Sequence, residues 1–284
     1  MINHISQKVR LYNGVEMPWL GLGVHKSKEG AEVENAVLSA IETGYRSIDT
    51  ATLYANESGV GKAVKASGIA RGELFITTKI WNTDQGYEST FRAVETSLNK
   101  LQTDYLDLYL IHWSIGQRSV ETWKAMEELY AQGKLRAIGV SNFLISHLQS
   151  LMAQVTVKPM VNQYEFHPNL TQPALYEFCR KHGIQSEAWR PIMKGLVNEI
   201  PLLNEMAAKY GKTPVQLVLR WDLQKGVVTI PKSVHPERIR SNADIFDFEI
   251  EEEDMKRIDS LDKNYRLGDD PNDLENLFLK YGKP

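Results

Sequence analysis

The stretch Ser47-Ile-Asp-Thr-Ala-Thr-Leu-Tyr54 decides how the rest of the chain is interpreted. A short apolar run ends at Asp49, and Tyr54 follows five residues later in a predicted loop. Two later apolar runs, Phe75-Ile-Thr-Thr-Lys79 and Tyr109-Leu-Ile-His112, also end in a functional side chain. Three successive strand ends bearing Asp, Lys and His, with a Tyr nearby, predict one site at one end of a barrel.

Short apolar runs alternate with amphipathic segments on both sides of this stretch. Residues 19–24 form the predicted strand before it, and residues 33–41 carry apolar side chains at the 3.6-residue spacing of a helix. Further predicted strands, each followed by a predicted helix, lie at residues 74–79, 106–112, 135–140, 159–163, 184–189 and 227–230. With residues 46–49 this makes eight strand-then-helix units. Such units imply parallel pairing, and eight of them favour a closed (β/α)8 barrel of the TIM type over an open sheet.

The whole chain, residues 1–284, is predicted to form a single domain. Its length suits one α/β barrel of about 250 residues, and no linker rich in Pro, Gly and Ser interrupts the alternation. The Asn13-Gly14 pair predicts a hairpin over residues 8–17 with a tight two-residue turn, which would close the barrel bottom. The barrel itself is expected over about residues 19–243. The tail, about residues 261–284, is predicted as extra helix or loop that either wraps the surface or covers the barrel mouth.

Composition argues against several classes of function. The formal net charge is −3, so neither nucleic-acid binding nor membrane-surface binding is expected. Cys179 is the single cysteine, so no intrachain disulfide can form. No signal-peptide pattern is apparent, and no apolar run approaches the roughly 20 residues of a membrane span. We therefore expect a soluble cytoplasmic protein without a metal centre.

The four side chains near the predicted strand ends suit proton transfer to a carbonyl group. A tyrosine hydroxyl has a reference pKa of about 10 and is a poor proton donor at neutral pH unless its surroundings tune it. An ammonium such as Lys79 stabilises the phenolate, and a carboxylate such as Asp49 holds the ammonium in place and keeps it charged. A histidine such as His112 can orient a carbonyl oxygen. Each residue alone has an ordinary structural explanation, but unpaired buried lysines are rare, and the joint placement favours a catalytic site.

Three longer motifs carry a resemblance to a known family. They are Gly44-Tyr-Arg-Ser-Ile-Asp-Thr-Ala51 with Asn56-Glu-Ser-Gly-Val-Gly61, then Ile138-Gly-Val-Ser-Asn-Phe143, and finally Ile230-Pro-Lys-Ser233. Over about residues 9–248 the chain resembles the aldo-keto reductases, and most of all the bacterial branch that contains the glyoxal/methylglyoxal and 2,5-diketogluconate reductases.

The resemblance implies NADPH-dependent reduction of aldehydes and ketones to alcohols by hydride transfer. It makes Tyr54 the general acid and gives Lys79 the task of lowering the tyrosine pKa. Asp49 would pair with Lys79, and His112 would orient the carbonyl.

The expected cofactor site is not of the Rossmann type, because no Gly-x-Gly-x-x-Gly motif follows a predicted strand. The resemblance implies NADPH extended across the barrel mouth. It assigns Ser141, Asn142 and Gln163 to the nicotinamide carboxamide, and Trp189 to stacking on the nicotinamide ring. Arg190 departs from the serine that is usual in the family, and it either pairs with the cofactor pyrophosphate or blocks its path.

The segment after the last predicted strand is the expected site for the adenosine end of the cofactor. By resemblance Lys232, Ser233 and Arg238 hold the 2′-phosphate, with Val234 in the same segment and Asn242 near the adenine. Two cations and a hydroxyl beside a helix N-terminus make a good anion site. NADPH is therefore preferred over NADH.

The substrate pocket is expected around Tyr54 and His112, with further contributions from Val24, His25, Trp81 and Trp113. The aromatic side chains indicate an apolar funnel over a polar floor, which suits aldehydes and small ketones as the small-molecule partners. His25 would add affinity for an anionic or hydroxylated substrate. The family resemblance favours a monomer.

Two other functions remain open on the sequence alone. A class I aldolase would use Lys79 to form a Schiff base, although Tyr54 and the cations around Lys232 argue against it. A non-catalytic protein that keeps the nucleotide site on the same fold is the other alternative. The complete set of four catalytic side chains argues against it.

Overall fold

The predicted parallel strands are present and curl into a closed barrel. The computed structural model describes residues 2–282. Its strands are the hairpin strands β1 (Lys8–Arg10) and β2 (Glu16–Pro18) and the barrel strands β3 (Leu22–Gly23), β4 (Ser47–Asp49), β5 (Phe75–Ile80), β6 (Leu108–Ile111), β7 (Ile138–Ser141), β8 (Val161–Glu165), β9 (Gln185–Trp189) and β10 (Val228–Thr229).

The barrel strands pair in parallel in chain order, from β3 to β10. Two parallel bridges then join the first strand to the last, Leu20 to Thr229 and Gly23 to Lys232. The predicted (β/α)8 barrel is therefore confirmed. Because all eight strands point the same way, the side chains that follow them meet at one end of the barrel.

Helices surround the barrel and connect its strands. They are α1 (Ala31–Thr43), α2 (Glu57–Ala66), α3 (Tyr87–Leu101), α4 (Gln117–Ala131), α5 (Ile145–Met152), α6 (Pro173–His182), α7 (Pro201–Lys209), α8 (Pro214–Gln224), α9 (Pro236–Ala243), α10 (Glu252–Asp259) and α11 (Leu274–Tyr281). Among residues 2–282, no helix is both long and apolar enough to cross a membrane.

Two helices, α7 and α8, lie between β9 and β10. Gly211 adopts a φ of +64°, which ends the first helix. The second begins at Thr213, whose hydroxyl accepts from the Gln216 N–H at 3.2 Å, and Pro214 follows at the first helical position. The cap and the proline together favour a new helix over continuation of the old one.

The N-terminal hairpin lies across the bottom of the barrel, as predicted. The Tyr12 hydroxyl donates to the Lys158 carbonyl at 2.5 Å, and the Asn13 side chain donates to the Arg136 carbonyl at 3.0 Å. Those two carbonyls shortly precede β8 and β7, so they lie at the N-terminal ends of the strands.

The turn of this hairpin differs from the prediction. The Leu11 N–H donates to the Val15 carbonyl at 2.8 Å, which closes a three-residue turn over residues 12–14. Of these three residues only Gly14 has a positive φ, at +90°. A two-residue turn of the Asn-Gly type needs a positive φ at both residues, whereas a three-residue turn needs it only at the last. The prediction of a two-residue turn was wrong.

The C-terminal tail covers the barrel mouth, which settles the choice that the sequence left open. Leu277 of α11 is fully buried in a cluster with Trp81 and Trp113. These tryptophans follow β5 and β6, so they stand at the C-terminal ends of the strands. The Tyr281 ring lies 5.5 Å from the Trp81 ring.

A buried carboxylate stabilises the opposite end of the barrel. Asp107 is fully buried, and its oxygens pair with Arg71 at 2.7 Å and with Arg136 at 2.8 Å. It also accepts from the Ile76 N–H at 2.9 Å. Three donors from separate segments therefore converge on one side chain.

Replacing Asp107 by Asn is expected to lower the free energy of unfolding by about 1–3 kcal/mol, because the charge-assisted bonds weaken inside the protein. Urea unfolding measures the change. The control Glu95→Gln breaks a surface ion pair in which Glu95 is 59% exposed and Lys134 is 44% exposed. It should change the stability by no more than about 0.5 kcal/mol. Equal effects of the two substitutions would contradict the assignment.

Candidate active site

The four predicted catalytic side chains come together at the mouth of the barrel. Asp49 is the last residue of β4, Lys79 lies near the end of β5, and His112 directly follows β6. Tyr54 ends a short 3₁₀ turn after β4. The hydroxyl of Thr52 in this turn donates to the Lys79 carbonyl at 2.9 Å, which ties the turn to the neighbouring strand.

Lys79 and Asp49 form a buried ion pair beneath the tyrosine. Lys79 Nζ lies 2.6 Å from Asp49 Oδ1 and donates to the Thr50 carbonyl at 2.9 Å. Burial by itself lowers the pKa of Lys79, but the charge and hydrogen bond of Asp49, together with the neighbouring Tyr54 and Glu187, outweigh burial, so the pKa is raised and the ammonium stays charged. The same Nζ lies 5.1 Å from the centre of the Tyr54 ring.

Burial raises the pKa of Tyr54 above its ordinary value, while the charge and hydrogen bonding of Lys79 act to lower it. The effect of Lys79 has the predicted sign, yet the net shift is upward. The hydroxyl therefore carries its proton at neutral pH.

His112 lies beside Tyr54 in the cavity lining, and its imidazole is neutral. Burial and the charge of Lys79 lower its pKa well below the ordinary value. Its ring meets the Tyr54 ring edge-on at 5.7 Å and the Trp81 ring at 5.2 Å. Among residues 2–282 its Nδ1 atom has no hydrogen-bond partner. The backbone carbonyl of His112 accepts from the Asn142 side chain at 3.0 Å.

A second buried carboxylate, which the sequence analysis missed, extends this network. Gln163 Nε2 donates to Asp49 Oδ2 and to Glu187 Oε2, each at 2.8 Å. Glu187 is only 1% exposed. Burial, and then the charge of Asp49, raise its pKa to about 8. Two acids therefore share one amide, and only Asp49 is also bonded to the Lys79 ammonium among residues 2–282.

A cavity of about 880 Å³ opens above these groups. Most of the side chains that the sequence assigned to the site line it: Asp49, Tyr54, His112, His25, Trp113, Ser141, Asn142, Gln163, Trp189, Arg190, Lys232, Ser233, Val234, Arg238 and Asn242. Lys79, Val24 and Trp81 do not line it. Lys79 is buried beneath the tyrosine, and Trp81 packs against the His112 ring.

Val24 lies apart from the substrate-facing surface that the sequence assigned to it. The side chain is fully buried within the hydrophobic core, and its N–H donates to the Asp49 carbonyl at 3.0 Å. The next residue, His25, is the one that faces the cavity. Loss of hydration and then the charges of neighbouring cations, first Lys26 and then Lys79, lower the pKa of His25 to about 4. It therefore offers a hydrogen bond rather than a positive charge at neutral pH.

The rim of the cavity is strongly cationic. Five basic side chains line it without an ion-pair partner among residues 2–282, namely Lys26, Arg190, Lys194, Lys232 and Arg238. The two acids of the lining are each neutralised from outside it, Asp49 by Lys79 and Asp269 by Lys280 at 2.8 Å. The cavity therefore suits an elongated ligand with several negative charges.

Arg190 is held in an unusual position in this rim. Its φ of 55° is in the left-handed region, which residues other than glycine rarely adopt. Its guanidinium lies 5.1 Å from the centre of the Trp189 ring, and its Nη1 atom is buried without a partner among residues 2–282. A buried donor of this kind is available for an anionic ligand.

The indole of Trp189 is fixed from two sides. Its Nε1 donates to Asn142 Oδ1 at 2.8 Å. The tail passes close to the ring at Gly268, where an added Cβ would lie 2.4 Å from Trp189 Cη2. Glu165 holds the tail there, because its carboxylate accepts from the N–H groups of Leu267 and Gly268 at 2.9 and 3.0 Å.

Several side chains of the cavity were not predicted from the sequence. Leu53, Gly268 and Tyr281 line it, and Leu277 supports its apolar wall. Leu53 directly precedes Tyr54, so the sequence already indicated that it lies near the site. The tail residues gave none, since no strand-then-helix unit contains them.

Comparison with known proteins places the chain in a family. The Aldo/keto reductase family model matches residues 19–263. The glyoxal reductase of Bacillus subtilis (strain 168) is 56% identical over 274 residues, which cover 96% of this chain and 99% of that protein. The methylglyoxal reductase DkgA of Yersinia pestis is 49% identical over 267 residues, or 93% of this chain and 95% of the relative.

A solved structure shows the same fold and carries a nucleotide. The crystal structure of a mutant of Gox0644 in complex with NADPH has a TM-score of 0.88 and 45% identity, covering 94% of this chain and 98% of that one. The chain therefore belongs to the aldo/keto reductase family and is an oxidoreductase. The resemblance drawn from the sequence motifs, including the glyoxal/methylglyoxal reductase branch, is confirmed.

Replacing Glu187 by Gln is expected to reduce the pH dependence of folding stability. Between the ordinary carboxyl pKa of 4.5 and the folded value of about 8, the unfolded chain has lost the proton and the folded chain keeps it. The wild-type free energy of unfolding therefore falls as the pH rises, by at most about 1.4 kcal/mol per pH unit for one proton. Glutamine does not titrate, so the variant gains stability relative to wild type from about pH 5 to about pH 8. Urea unfolding across that range measures the gain.

The matched control is Glu253→Gln on the exposed surface of α10. Its stability should follow the wild-type curve throughout. Parallel curves for wild type and Glu187→Gln would show that Glu187 ionises in the folded protein as it does in the unfolded chain.

Proposed function

We propose that this protein reduces the carbonyl group of small aldehydes and ketones with NADPH. The observation that carries the proposal is the protonated Tyr54 above the buried Lys79–Asp49 pair, with neutral His112 beside it on the floor of a cation-rimmed cavity. NADPH, when bound, supplies the hydride that reaches the carbonyl carbon.

The protein supplies the proton. Tyr54 donates its hydroxyl proton to the carbonyl oxygen as the hydride arrives, and a phenolate is left. Lys79 stabilises that phenolate by its charge, and Asp49 keeps Lys79 charged and in place. His112 faces the same point as a neutral group, so it orients the carbonyl oxygen by hydrogen bonding.

The cavity residues suit NADPH from end to end. Ser141, Asn142 and Gln163 would hold the nicotinamide carboxamide, and Trp189 would stack on the ring. Lys232, Ser233, Val234, Arg238 and Asn242 line the far end and would hold the 2′-phosphate and adenosine. Arg190, whose buried Nη1 has no partner among residues 2–282, would pair with the pyrophosphate rather than block its path.

The substrate would enter beside the tail. Trp113 and Tyr281 line the cavity there, and Trp81 and Leu277 pack behind them. These walls favour a compact carbonyl compound. Glyoxal and methylglyoxal, which the names of two relatives give, are the first substrates to test.

The aldolase alternative is disfavoured by the state of Lys79. A Schiff base requires a neutral amine. The raised pKa keeps the Lys79 ammonium charged, and this ammonium already donates a hydrogen bond to Asp49. The non-catalytic alternative is disfavoured because the four catalytic side chains converge. We further propose that the chain acts as a monomer of one domain, which size-exclusion chromatography with light scattering tests.

Replacing Tyr54 by Phe is expected to lower kcat for methylglyoxal by about 10²–10⁴-fold, because the proton donor is lost. NADPH oxidation followed by absorbance measures the rate. The affinity for NADPH, measured by fluorescence titration, should stay within about threefold of wild type because the ring remains in place. Equal turnover by wild type and Tyr54→Phe across a panel of carbonyl compounds would refute the assigned role.

Replacing Lys232 or Arg238 by Ala is expected to weaken NADPH binding by about tenfold each, the scale of one charge-assisted hydrogen bond at a partly solvated site. NADH binding should change little, because NADH lacks the 2′-phosphate. The control Arg240→Ala removes a cation from the same helix that does not line the cavity. Equal losses for NADPH and NADH would place the 2′-phosphate elsewhere.

A further inference from the structure

Glu187 is a buried acid that the proposed chemistry leaves without a task. It lies in the middle of β9, directly opposite Gln163 of β8 in the parallel register. It is almost fully buried and does not line the cavity. Its Oε2 accepts from Gln163 Nε2, and its Oε1 has no partner among residues 2–282. Glu187 therefore makes no contact with a ligand in the cavity itself, and its one hydrogen-bonded link to the lining, within the described part of the chain, is Gln163.

The geometry fixes which way the Gln163 amide points. A side-chain amide has two N–H donors on nitrogen and an acceptor oxygen. Both donors are used here, one on Asp49 and one on Glu187, each at 2.8 Å. The carbonyl oxygen is the polar atom left over, and Gln163 lines the cavity. The Asp49 carboxylate on one side and a Glu187 carboxyl oxygen on the other thus select the amide orientation that offers an acceptor to the ligand.

The position is costly for stability, which argues against a packing role. The nearest ammonium, Lys79, is already bonded to Asp49, and Glu187 has no ion pair of its own among residues 2–282. By contrast, the buried Asp107 has two arginine partners. An apolar residue would fill the same space without the cost of burying an acid.

We propose that Glu187 is a positioning residue that locks the Gln163 amide with its carbonyl oxygen toward the nicotinamide carboxamide. The inference rests on the proposed function, since it gives Gln163 a cofactor to meet. Asp49 alone holds one of the two N–H groups, so loss of Glu187 frees the amide to turn over. A turned amide would present its NH₂ to the NH₂ of the carboxamide.

The test measures NADPH affinity by fluorescence titration, without turnover. Glu187→Ala removes the acceptor and is expected to weaken binding by up to about tenfold, the upper end of what one buried hydrogen bond contributes. Glu187→Gln keeps an acceptor oxygen in the same place and is expected to stay within about twofold of wild type. An unchanged affinity in Glu187→Ala, or equal losses in both variants, would overturn the proposal.

Asp222→Ala is the matched control for removing a buried acid. Asp222 is fully buried on α8, where it accepts from the Thr229 hydroxyl at 2.8 Å, and it does not line the cavity. Both alanine variants are expected to be less stable than wild type near neutral pH, but only Glu187→Ala should lose NADPH affinity. A comparable loss in Asp222→Ala would show that general destabilisation, not positioning, accounts for the effect.

Two further measurements locate the effect. In the double variant with Gln163→Ala, removing Glu187 should weaken NADPH binding no further, because the amide that it positions is gone. With the 3-acetylpyridine analogue of NADPH, which has a methyl group in place of the carboxamide NH₂, the Glu187→Ala loss should shrink to about twofold or less. A full loss in either case overturns the proposal.

Failure of the proposed function is seen separately. It would appear as wild-type protein that does not bind NADPH or does not oxidise it with any carbonyl compound. Failure of the Glu187 proposal leaves wild-type binding and turnover intact.

Discussion

The site depends on one buried charge, the ammonium of Lys79. A lysine taken out of water loses its proton readily unless an anion stands beside it, because burial disfavours the charged form. Asp49 provides that anion at 2.6 Å, and the Thr50 carbonyl provides a second acceptor. Asp49 ends β4 and Lys79 lies near the end of β5, and these strands are direct neighbours in the sheet. Two adjacent parallel strands are therefore enough to bring the pair together.

Closure of the barrel adds the groups that two strands cannot supply. Gln163 stands on β8, across the barrel from β4, yet its amide reaches the second oxygen of Asp49 at 2.8 Å. The same amide continues to Glu187 on β9. The Asp49 carboxylate thus connects Lys79, beneath the proposed proton donor, to Gln163 on the side that would face the cofactor. Burial, and then the charge of Asp49, raise the pKa of Glu187, so its protonation also relieves the excess negative charge of this network.

The convergence of the proposed catalytic side chains could be predicted from the sequence because it follows from strand ends. Asp49, Lys79 and His112 each stand at the end of an apolar run, and parallel strands in a barrel present those ends on one face. Glu187 stands in the middle of its strand, where the alternation of the sequence gives no sign that it points toward an amide on the neighbouring strand. The direction of the Tyr54 pKa shift was equally out of reach, since it depends on how deeply the ring is buried. The hairpin turn was mistaken because Asn-Gly is compatible with both turn lengths, and the backbone pairing decides between them.

The tail was the hardest part to predict, and its contacts explain why. Its position depends on Glu165, which accepts from two backbone N–H groups more than 100 residues later in the chain. Backbone donors leave no mark in the sequence. Beyond that anchor the tail crosses Trp189 at Gly268, where a side chain would collide with the indole.

The tail then reaches α11, whose Tyr281 packs on Trp81, and Trp81 packs on His112. One segment therefore touches the aromatic ring proposed for the cofactor and the tryptophan that supports the histidine. Since aromatic contacts of this kind fix ring orientation as well as position, the tail is part of the proposed active site as well as its cover.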